Sequence, residues 1–479
     1  MQRTKQCSQP LFVDSSTIKL NPKNYYARLN EAVGDWQSLA TPLLGAFSQG
    51  VGRPSDAVVY LKIFLIGYLE NIIHDTDLAE RIGDSLQLRQ FLGYSLDEAP
   101  PDHSSISRVR GQIGRSCDLS QLLSAVVERC QQVGLVDGQV AAVDATLLPA
   151  NASLSSLTRA PVAHSVGDYL RHCDKQQSPT DAAGSGEQEG GEGGEAQEDD
   201  SHPPEGGGRK GHWNRQVYSR TDPDARLARR PGKPRGLYYT VSHITDSVGK
   251  IILAAGVDHA DRSEWDNALP LLDQARGLLA QQGQGLGYVI ADSGYDVGKF
   301  HAAVEAVGAV PVTNYRPREM HKPSGYKLDD FEYDAQANTY TCPEGKLLRQ
   351  RQINLRESRR RYLSSAEDCR LCPERVKCLK PGREQRTLSR TLFYESRERA
   401  RLRLQDPKAL AALSKRKGTA EGPFGHMKAY GGLSRVNCRG LLKVRVKAMF
   451  AAVAWNLVRL MNALKGTPRG RPQVITCPA

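Results

Sequence analysis

The chain has 479 residues, of which 39% are hydrophobic and 25% charged, and its formal net charge is +12. This length fits about two to four domains. No apolar run approaches the ~20 residues that a membrane-spanning helix needs, and residues 1–10 lack the apolar core of a secretory signal. Composition therefore speaks against a membrane protein or an exported one, and a cytoplasmic globular protein is expected.

The positive charge is unevenly distributed along the chain. Residues 178–208 contain nine Asp or Glu and no Lys or Arg, so the remainder has 65 basic against 44 acidic residues, a balance of +21. Such an excess suggests a polyanionic partner, because Lys and Arg side chains that neutralise phosphates release condensed counterions. A basic surface that is merely solvated is the alternative. Charge by itself indicates no reaction.

Residues 1–52 are taken as an N-terminal segment, and residues 53–136 have helical patterns. The stretch 56–73 carries apolar residues at helical spacing, with Ser55 or Asp56 as a possible cap, and the stretch 77–92 repeats the pattern. After Pro100 and Pro101, Asp102 can cap a basic helix. Short helices with a basic helix after a turn are typical of a helix-turn-helix-like DNA-binding domain. A helical bundle used for dimerisation fits the pattern about equally well.

Residues 137–479 predict a second, mixed α/β domain. Their order is strand, strand, strand, helix, strand, helix, strand, which predicts a mixed five-stranded sheet flanked by helices. The predicted strands are 140–148, 238–244, 251–257, 288–291 and 310–313, and the predicted helices are 263–281 and 298–307.

Three segments depart from this alternation of strands and helices. Residues 174–210 have almost no apolar side chains to bury and predict a disordered acidic linker. The pattern breaks again in a Cys-rich insertion at 340–380. Residues 441–464 predict a long amphipathic helix, on whose apolar face Asn456 is expected to be a buried hydrogen-bonding residue.

Three carboxylates occupy positions that chemistry could use. Asp144 lies within an apolar strand and Asp292 directly ends another, where an uncompensated carboxylate is costly. Glu421 precedes Pro423, which suits the first turn of a helix and places Glu421 at the helix start. Each residue also has an ordinary interpretation, as a turn residue or as a helix cap.

In combination, these segments resemble the DDE transposases of bacterial insertion sequences, a family with a helical InsH-type N-terminal domain and an RNase H-like catalytic core. The resemblance covers nearly the whole chain outside the acidic linker. It rests on 101–108 (PDHSSISR), 143–146 (VDAT), 150–153 (ANAS), 221–226 (TDPDAR), 291–295 (ADSGY) and the series Glu421, Phe424, Gly425, Lys428.

The resemblance implies that Asp144, Asp292 and Glu421 form an acidic triad that binds Mg²⁺ or Mn²⁺. It implies cleavage of double-stranded DNA at transposon ends and joining of the freed 3′-OH to target DNA. Two hard cations held by oxygen ligands could stabilise both the attacking and the leaving oxygen. By analogy, pairing of two ends implies a homodimer and a nucleoid-associated location. A nuclease without strand transfer and an inactive, domesticated DNA-binding protein remain alternatives.

One departure from the family pattern is Gly422, since Pro more often follows the Glu directly. This departure leaves the start of the helix open, but not the identity of the Glu. Basic residues are expected to contact DNA phosphates, which position a duplex without specifying sequence. The candidates are Arg108, Arg110, Lys415, Arg416, Lys417, Lys428 and Arg435.

Four cysteines in the insertion have the spacing C-x26-C-x2-C-x5-C, at Cys342, Cys369, Cys372 and Cys378. The pair separated by two residues is a common zinc half-site, and four thiolates could close a tetrahedral structural zinc site. The irregular outer spacing leaves unpaired thiols as the alternative.

Overall fold

The computed structural model describes residues 21, 23–47, 56–159, 217–230, 232–315, 325–355 and 358–465. The expected acidic linker at 174–210 lies outside these residues. None of the helices described is both long enough and apolar enough to cross a membrane.

The N-terminal part of the described chain is helical, and side-chain caps determine where several helices begin. Asp56 and Asp102 each accept a backbone N–H at the start of their helices, as expected. The predicted 77–92 helix is two helices, because Ser85 has an extended backbone and caps the second one. The helices are α1 (Tyr25–Val33), α2 (Trp36–Ala40), α3 (Ala57–Leu69), α4 (Asp75–Asp84), α5 (Leu86–Leu92), α6 (His103–Ser116) and α7 (Leu119–Gln132).

The central sheet is mixed. Its strands are β1 (Val140–Pro149), β4 (Arg226–Arg230), β5 (Lys233–Asp246), β6 (Ile252–His259), β7 (Tyr288–Ala291) and β8 (Val310–Thr313). Strands β2 (Leu157–Arg159) and β3 (Val217–Ser219) form a separate two-stranded antiparallel sheet. β5 pairs antiparallel with both β1 and β6, whereas β7 is parallel to β1 and to β8. Helix α8 (Glu264–Ala280) connects β6 to β7, and α9 (Gly298–Ala306) connects β7 to β8.

This arrangement confirms the predicted order of strands and helices in a mixed α/β fold. The predicted strand number was wrong, because the sheet has six strands in the described part of the chain rather than five. The additional strand, β4, pairs with residues 233–238 of β5, while β6 pairs with residues 239–245 of the same strand. The long β5 therefore extends beyond the central sheet as a basic hairpin with β4.

The Cys-rich insertion is larger than expected and contains a sheet of its own. Its order is β13-β12-β11-β10-β9 and every neighbouring pair is antiparallel. A small core of buried aromatic and leucine side chains supports it. The elements are β9 (Glu332–Asp334), β10 (Thr339–Thr341), β11 (Leu347–Asn354), β12 (Arg359–Leu363), α10 (Ala366–Arg370), α11 (Arg375–Cys378) and β13 (Thr387–Thr391).

The C-terminal helices connect the sheet to the helical part. They are α12 (Tyr394–Arg403), α13 (Pro407–Ser414), a π-helical turn (Lys417–Glu421), α14 (Gly422–Tyr430) and α15 (Leu441–Lys465). α15 packs against α1, α3, α6, α7 and β6. One hydrophobic core therefore runs through both parts of the described chain. Asn456 on α15 is fully buried and hydrogen-bonds both the N–H and the carbonyl of Ile252, as the sequence predicted.

Candidate active site

Strand register brings Asp144 and Asp292 to one face of the central sheet. Ala142 pairs with Ile290 between the parallel strands β1 and β7, and both side chains belong to a small core under α13. Side chains alternate between the two faces of a strand. Asp144 and Asp292 each follow two residues later, so their carboxylates continue that same face at the carboxyl ends of neighbouring strands.

Glu421 reaches this face from the helical run above it. Ala420, its neighbour in the π-helical turn, packs in the same small core as Ala142 and Ile290. The charges of Asp292 and Glu421 both act on Asp144. The pKa of Asp144 is raised to about 6, mainly by burial and also by these two charges, while the Ala145 N–H and Arg416 act in the opposite direction.

α14 begins directly after Glu421, with Pro423 in its first turn, as the sequence predicted. Glu421 makes no capping hydrogen bond, however, and it ends a π-helical turn that runs directly into α14. Pro423 explains the wider turn, because a proline ring inside a helix clashes with the carbonyl four residues earlier, here that of Thr419. π turns are often found at functional sites.

Local hydrogen bonds hold the two aspartates in place. Asp144 Oδ1 accepts from Ala145 N at 2.9 Å, and Asp292 Oδ1 accepts from Gly294 N at 2.8 Å. The Glu421 side chain is 51% exposed, and its Oε1 lies 3.6 Å from an Arg416 guanidinium nitrogen. Arg416, which was expected to contact DNA, therefore also offsets the negative charge of the cluster.

Three residues at this site were not identified from the sequence: the basic residues Lys233 and Arg230 and the aromatic residue Tyr295. Lys233 donates to the Leu147 carbonyl at 2.8 Å, one residue from Thr146, which accepts from Lys428. Arg230 forms an ion pair with Glu264, and its pKa is lowered by burial while Asp292 and Asp144 raise it.

The third, Tyr295, lies three residues beyond Asp292 in the ADSGY motif, and that position was its only sequence signal. Its side chain is fully buried, and its hydroxyl has no hydrogen-bond partner among the described residues. Burial raises its pKa well above the usual value, with further contributions from Asp144 and Asp292.

The basic residues expected at DNA fall into two groups. Arg108, Lys415, Lys417 and Arg435 are exposed, and Lys428 is half-buried. The expectation that Arg110 contacts DNA was wrong. Only 5% of Arg110 is exposed, and its guanidinium donates to both oxygens of Asp75, at 2.5 and 2.6 Å. Arg110 therefore stabilises the contact of α6 with α4 and is not placed to contact DNA.

The four cysteines of the insertion lie around one small cavity between α10, α11 and the turn before β11. All four are free thiols of intermediate exposure. Burial raises the pKa of Cys378, and the other three thiols also act on it, so the four sulfurs are close together. The backbone N–H of Lys346 donates to Cys342 Sγ at 3.3 Å. In the part of the chain that the structure describes, no three His, Cys, Asp or Glu side chains are arranged to hold a metal ion.

Comparisons with known proteins match two segments of the chain to transposase families. Residues 15–112 match the family model described as Transposase domain (DUF772), and residues 341–461 match the one described as Transposase DDE domain. The two matches support a DDE transposase of the insertion-sequence type. The second match includes Glu421 and Lys428, whereas Asp144 and Asp292 lie outside both matched segments.

No curated protein sequence matches this transposase. Among solved structures it is similar to a piggyBac transposase in a synaptic complex with hairpin DNA, studied by cryo-electron microscopy. The two are 11% identical with a TM-score of 0.37, and the alignment covers 94% of this chain and 78% of the other. A likeness this distant carries no argument about the site.

Proposed function

We propose that this transposase cuts DNA at the ends of its element and joins the freed 3′-OH to target DNA, with Asp144, Asp292 and Glu421 as metal ligands. The observation that carries the proposal is the shared sheet face of Asp144 and Asp292, with Glu421 above it. The strand order β6-β5-β1-β7-β8, with its antiparallel half and its parallel half, supports an RNase H-like core.

The donor set suits a hard divalent cation, Mg²⁺ or Mn²⁺, which prefers carboxylate oxygens and keeps several waters. The pKa of Asp144 is raised mainly by burial and in part by the charges of Asp292 and Glu421, and a cation would offset both effects. When bound, a pair of such ions activates the attacking oxygen and stabilises the leaving one. Asp144, on which the charges of both other acids act, would be the ligand shared by the two ions.

Five basic residues that are exposed or half-buried are assigned to contacts with DNA phosphates. Lys428, on the helix that follows Glu421, is placed to hold a phosphate beside the reacting strand. The exposed Arg108, Lys415, Lys417 and Arg435 are assigned to flanking phosphates. Two copies of the chain would be needed to pair two ends, and we expect a homodimer that acts in the cytoplasm on nucleoid DNA.

The test is Mg²⁺- or Mn²⁺-dependent nicking of the DNA that flanks the reading frame. Asp144→Asn, Asp292→Asn and Glu421→Gln are each expected to abolish nicking and to leave binding to the transposon ends intact. Asp273→Asn is the matched control, because that carboxylate is 70% exposed on α8, and it should cut at the wild-type rate. Robust nicking by one of the three variants would remove that residue from the site.

Two alternatives lead to different products. A nuclease without strand transfer would nick the ends and would leave a pre-cleaved end unjoined, whereas the proposed enzyme joins that end to a target duplex. An inactive, domesticated protein would bind the ends and release no nicked strand with either cation.

We also propose that Cys342, Cys369, Cys372 and Cys378 hold a structural Zn²⁺. Their shared cavity and thiol chemistry favour this ion, although closing a tetrahedral site requires the sulfurs to approach one another. About one zinc per chain is expected in purified protein, and Cys372→Ser should lose it, while Cys117→Ser, outside the insertion, should keep it. Wild-type protein free of zinc would contradict this proposal.

A further inference from the structure

Two lysines from distant parts of the chain meet beside the acidic cluster. Lys233 is in the β4–β5 hairpin and Lys428 is on α14, yet their ammonium groups lie close enough for the charge of Lys428 to act on Lys233. Each is also anchored to β1, Lys233 to the Leu147 carbonyl and Lys428 to the Thr146 hydroxyl. These anchors lie two and three residues beyond Asp144 on the same strand.

Such a contact between like charges is unfavourable without an anion. A like charge nearby disfavours the charged form of an ammonium group. The pKa of Lys233 is lowered to about 8, first by burial and then by Lys428 and Arg230. The pKa of Lys428 is also lowered, mainly by burial, with a further lowering by Arg230, although its contact with Lys233 and the charge of Asp144 act in the opposite direction.

The hairpin contains an open cavity of about 390 Å³ next to this pair. Arg229, Arg230, Gly232 and Lys233 line it, and no carboxylate does. Arg230 has one acidic partner, Glu264 on α8. The charges of Asp292 and Asp144 also act on Arg230, and the charge of Asp144 acts on Lys428. Positive charge from the hairpin and from α14 is thus concentrated beside Asp144.

We propose that Lys233, Lys428 and Arg230 form a phosphate clamp, which binds a backbone phosphodiester of the DNA strand that enters the acidic cluster. The proposal rests on the proposed function and adds two residues to it, Lys233 and Arg230. A phosphodiester placed between the two ammonium groups replaces their mutual repulsion with two charge-assisted hydrogen bonds. The clamp recognises the backbone, so it contributes to affinity equally for every sequence.

The first experiment uses metal-free, full-length protein and inorganic phosphate as the probe, exchanged for chloride at constant ionic strength. Phosphate is expected to raise the melting temperature of the wild type. Lys233→Gln should raise the melting temperature in chloride, because it removes the repulsion, and should then show no response to phosphate. Arg276→Gln, an exposed charge on α8, is the control and should respond like the wild type. A Lys233→Gln variant that melts earlier in chloride, or that keeps the full phosphate response, would overturn the clamp.

The second experiment measures the dissociation constant for an end-containing duplex and for an unrelated duplex as a function of salt. Loss of one phosphate contact should reduce the slope of log K against log salt by about 0.9 for both duplexes. An unchanged slope in Lys233→Gln, with nicking by the wild type intact, would reject the clamp and keep the proposed function. Absence of nicking by the wild type, with the phosphate response present, would reject the proposed function and keep an anion site.

Discussion

Replacing Arg110 should destabilise the helical part. It should remove no contact with a DNA phosphate, so the salt dependence of DNA affinity should stay as in the wild type. The guanidinium is 6% exposed, its partner Asp75 is 15% exposed, and the ring of Phe64 lies 5.1 Å from the guanidinium carbon. Arg110→Ala leaves the Asp75 carboxylate without its partner in a mostly buried position. Removing one member of a buried ion pair costs about 3–5 kcal/mol. This corresponds to an unfolding equilibrium shifted by roughly two to nearly four orders of magnitude.

The assay is urea denaturation monitored by circular dichroism, together with the salt dependence of DNA affinity. Arg108→Ala is the matched control, because Arg108 is exposed on the same helix. It should change the free energy of unfolding by less than about 0.5 kcal/mol and should reduce the salt slope. The double variant Asp75→Leu/Arg110→Met should recover most of the stability, since apolar side chains can replace a buried pair. If Arg110→Ala kept wild-type stability and instead reduced the salt dependence of DNA affinity, the assignment of Arg110 to the protein interior would be refuted.

Three further predictions concern stability. Asn456→Leu should lower the free energy of unfolding by roughly 1–3 kcal/mol for each Ile252 backbone group left unpaired, measured by urea denaturation against Asn462→Leu. His243 is buried and stacks on Phe424 at 4.2 Å, and neither ring nitrogen has a hydrogen-bond partner among the described residues. Burial lowers the pKa of His243 to about 3. His243→Phe should therefore raise the melting temperature, and a fall would contradict an unpaired neutral ring. The pKa of Asp144 is about 6 in the folded protein against 3.8 for the unfolded group, so the free energy of unfolding falls as pH rises between these values. The metal-free Asp144→Asn variant should therefore have a free energy of unfolding higher than that of the wild type by at most about 3 kcal/mol at pH 8. This difference should disappear near pH 4.

The parts of the fold that the sequence predicted are those with local signals. The apolar runs of β1, β5, β6 and β7 are buried on a sheet, and Asp56 and Asp102 cap their helices as their positions suggested. The sequence analysis did not predict the antiparallel sheet of the insertion, because its strands contain many charged and polar residues and few apolar ones. In β11, for example, buried Leu348 is followed by mostly exposed Arg and Gln residues, which resembles a loop.

The errors at the site have a common cause, which is long-range contact. Arg110 is buried because Asp75, 35 residues earlier, faces it, and no local pattern records that pairing. Lys233 and Lys428 are 195 positions apart by their numbering, so their contact was visible only in the folded chain.

The account's central claim is that Asp144, Asp292 and Glu421 together bind divalent cations. Anomalous diffraction from crystals of the transposase with a transposon-end duplex and Mn²⁺ tests it most directly. The account predicts Mn²⁺ peaks ligated by all three carboxylates, with Asp144 shared between two ions, and no peak at this place in Asp144→Asn. Manganese bound elsewhere, or none beside Asp144 while the DNA is ordered, would contradict it.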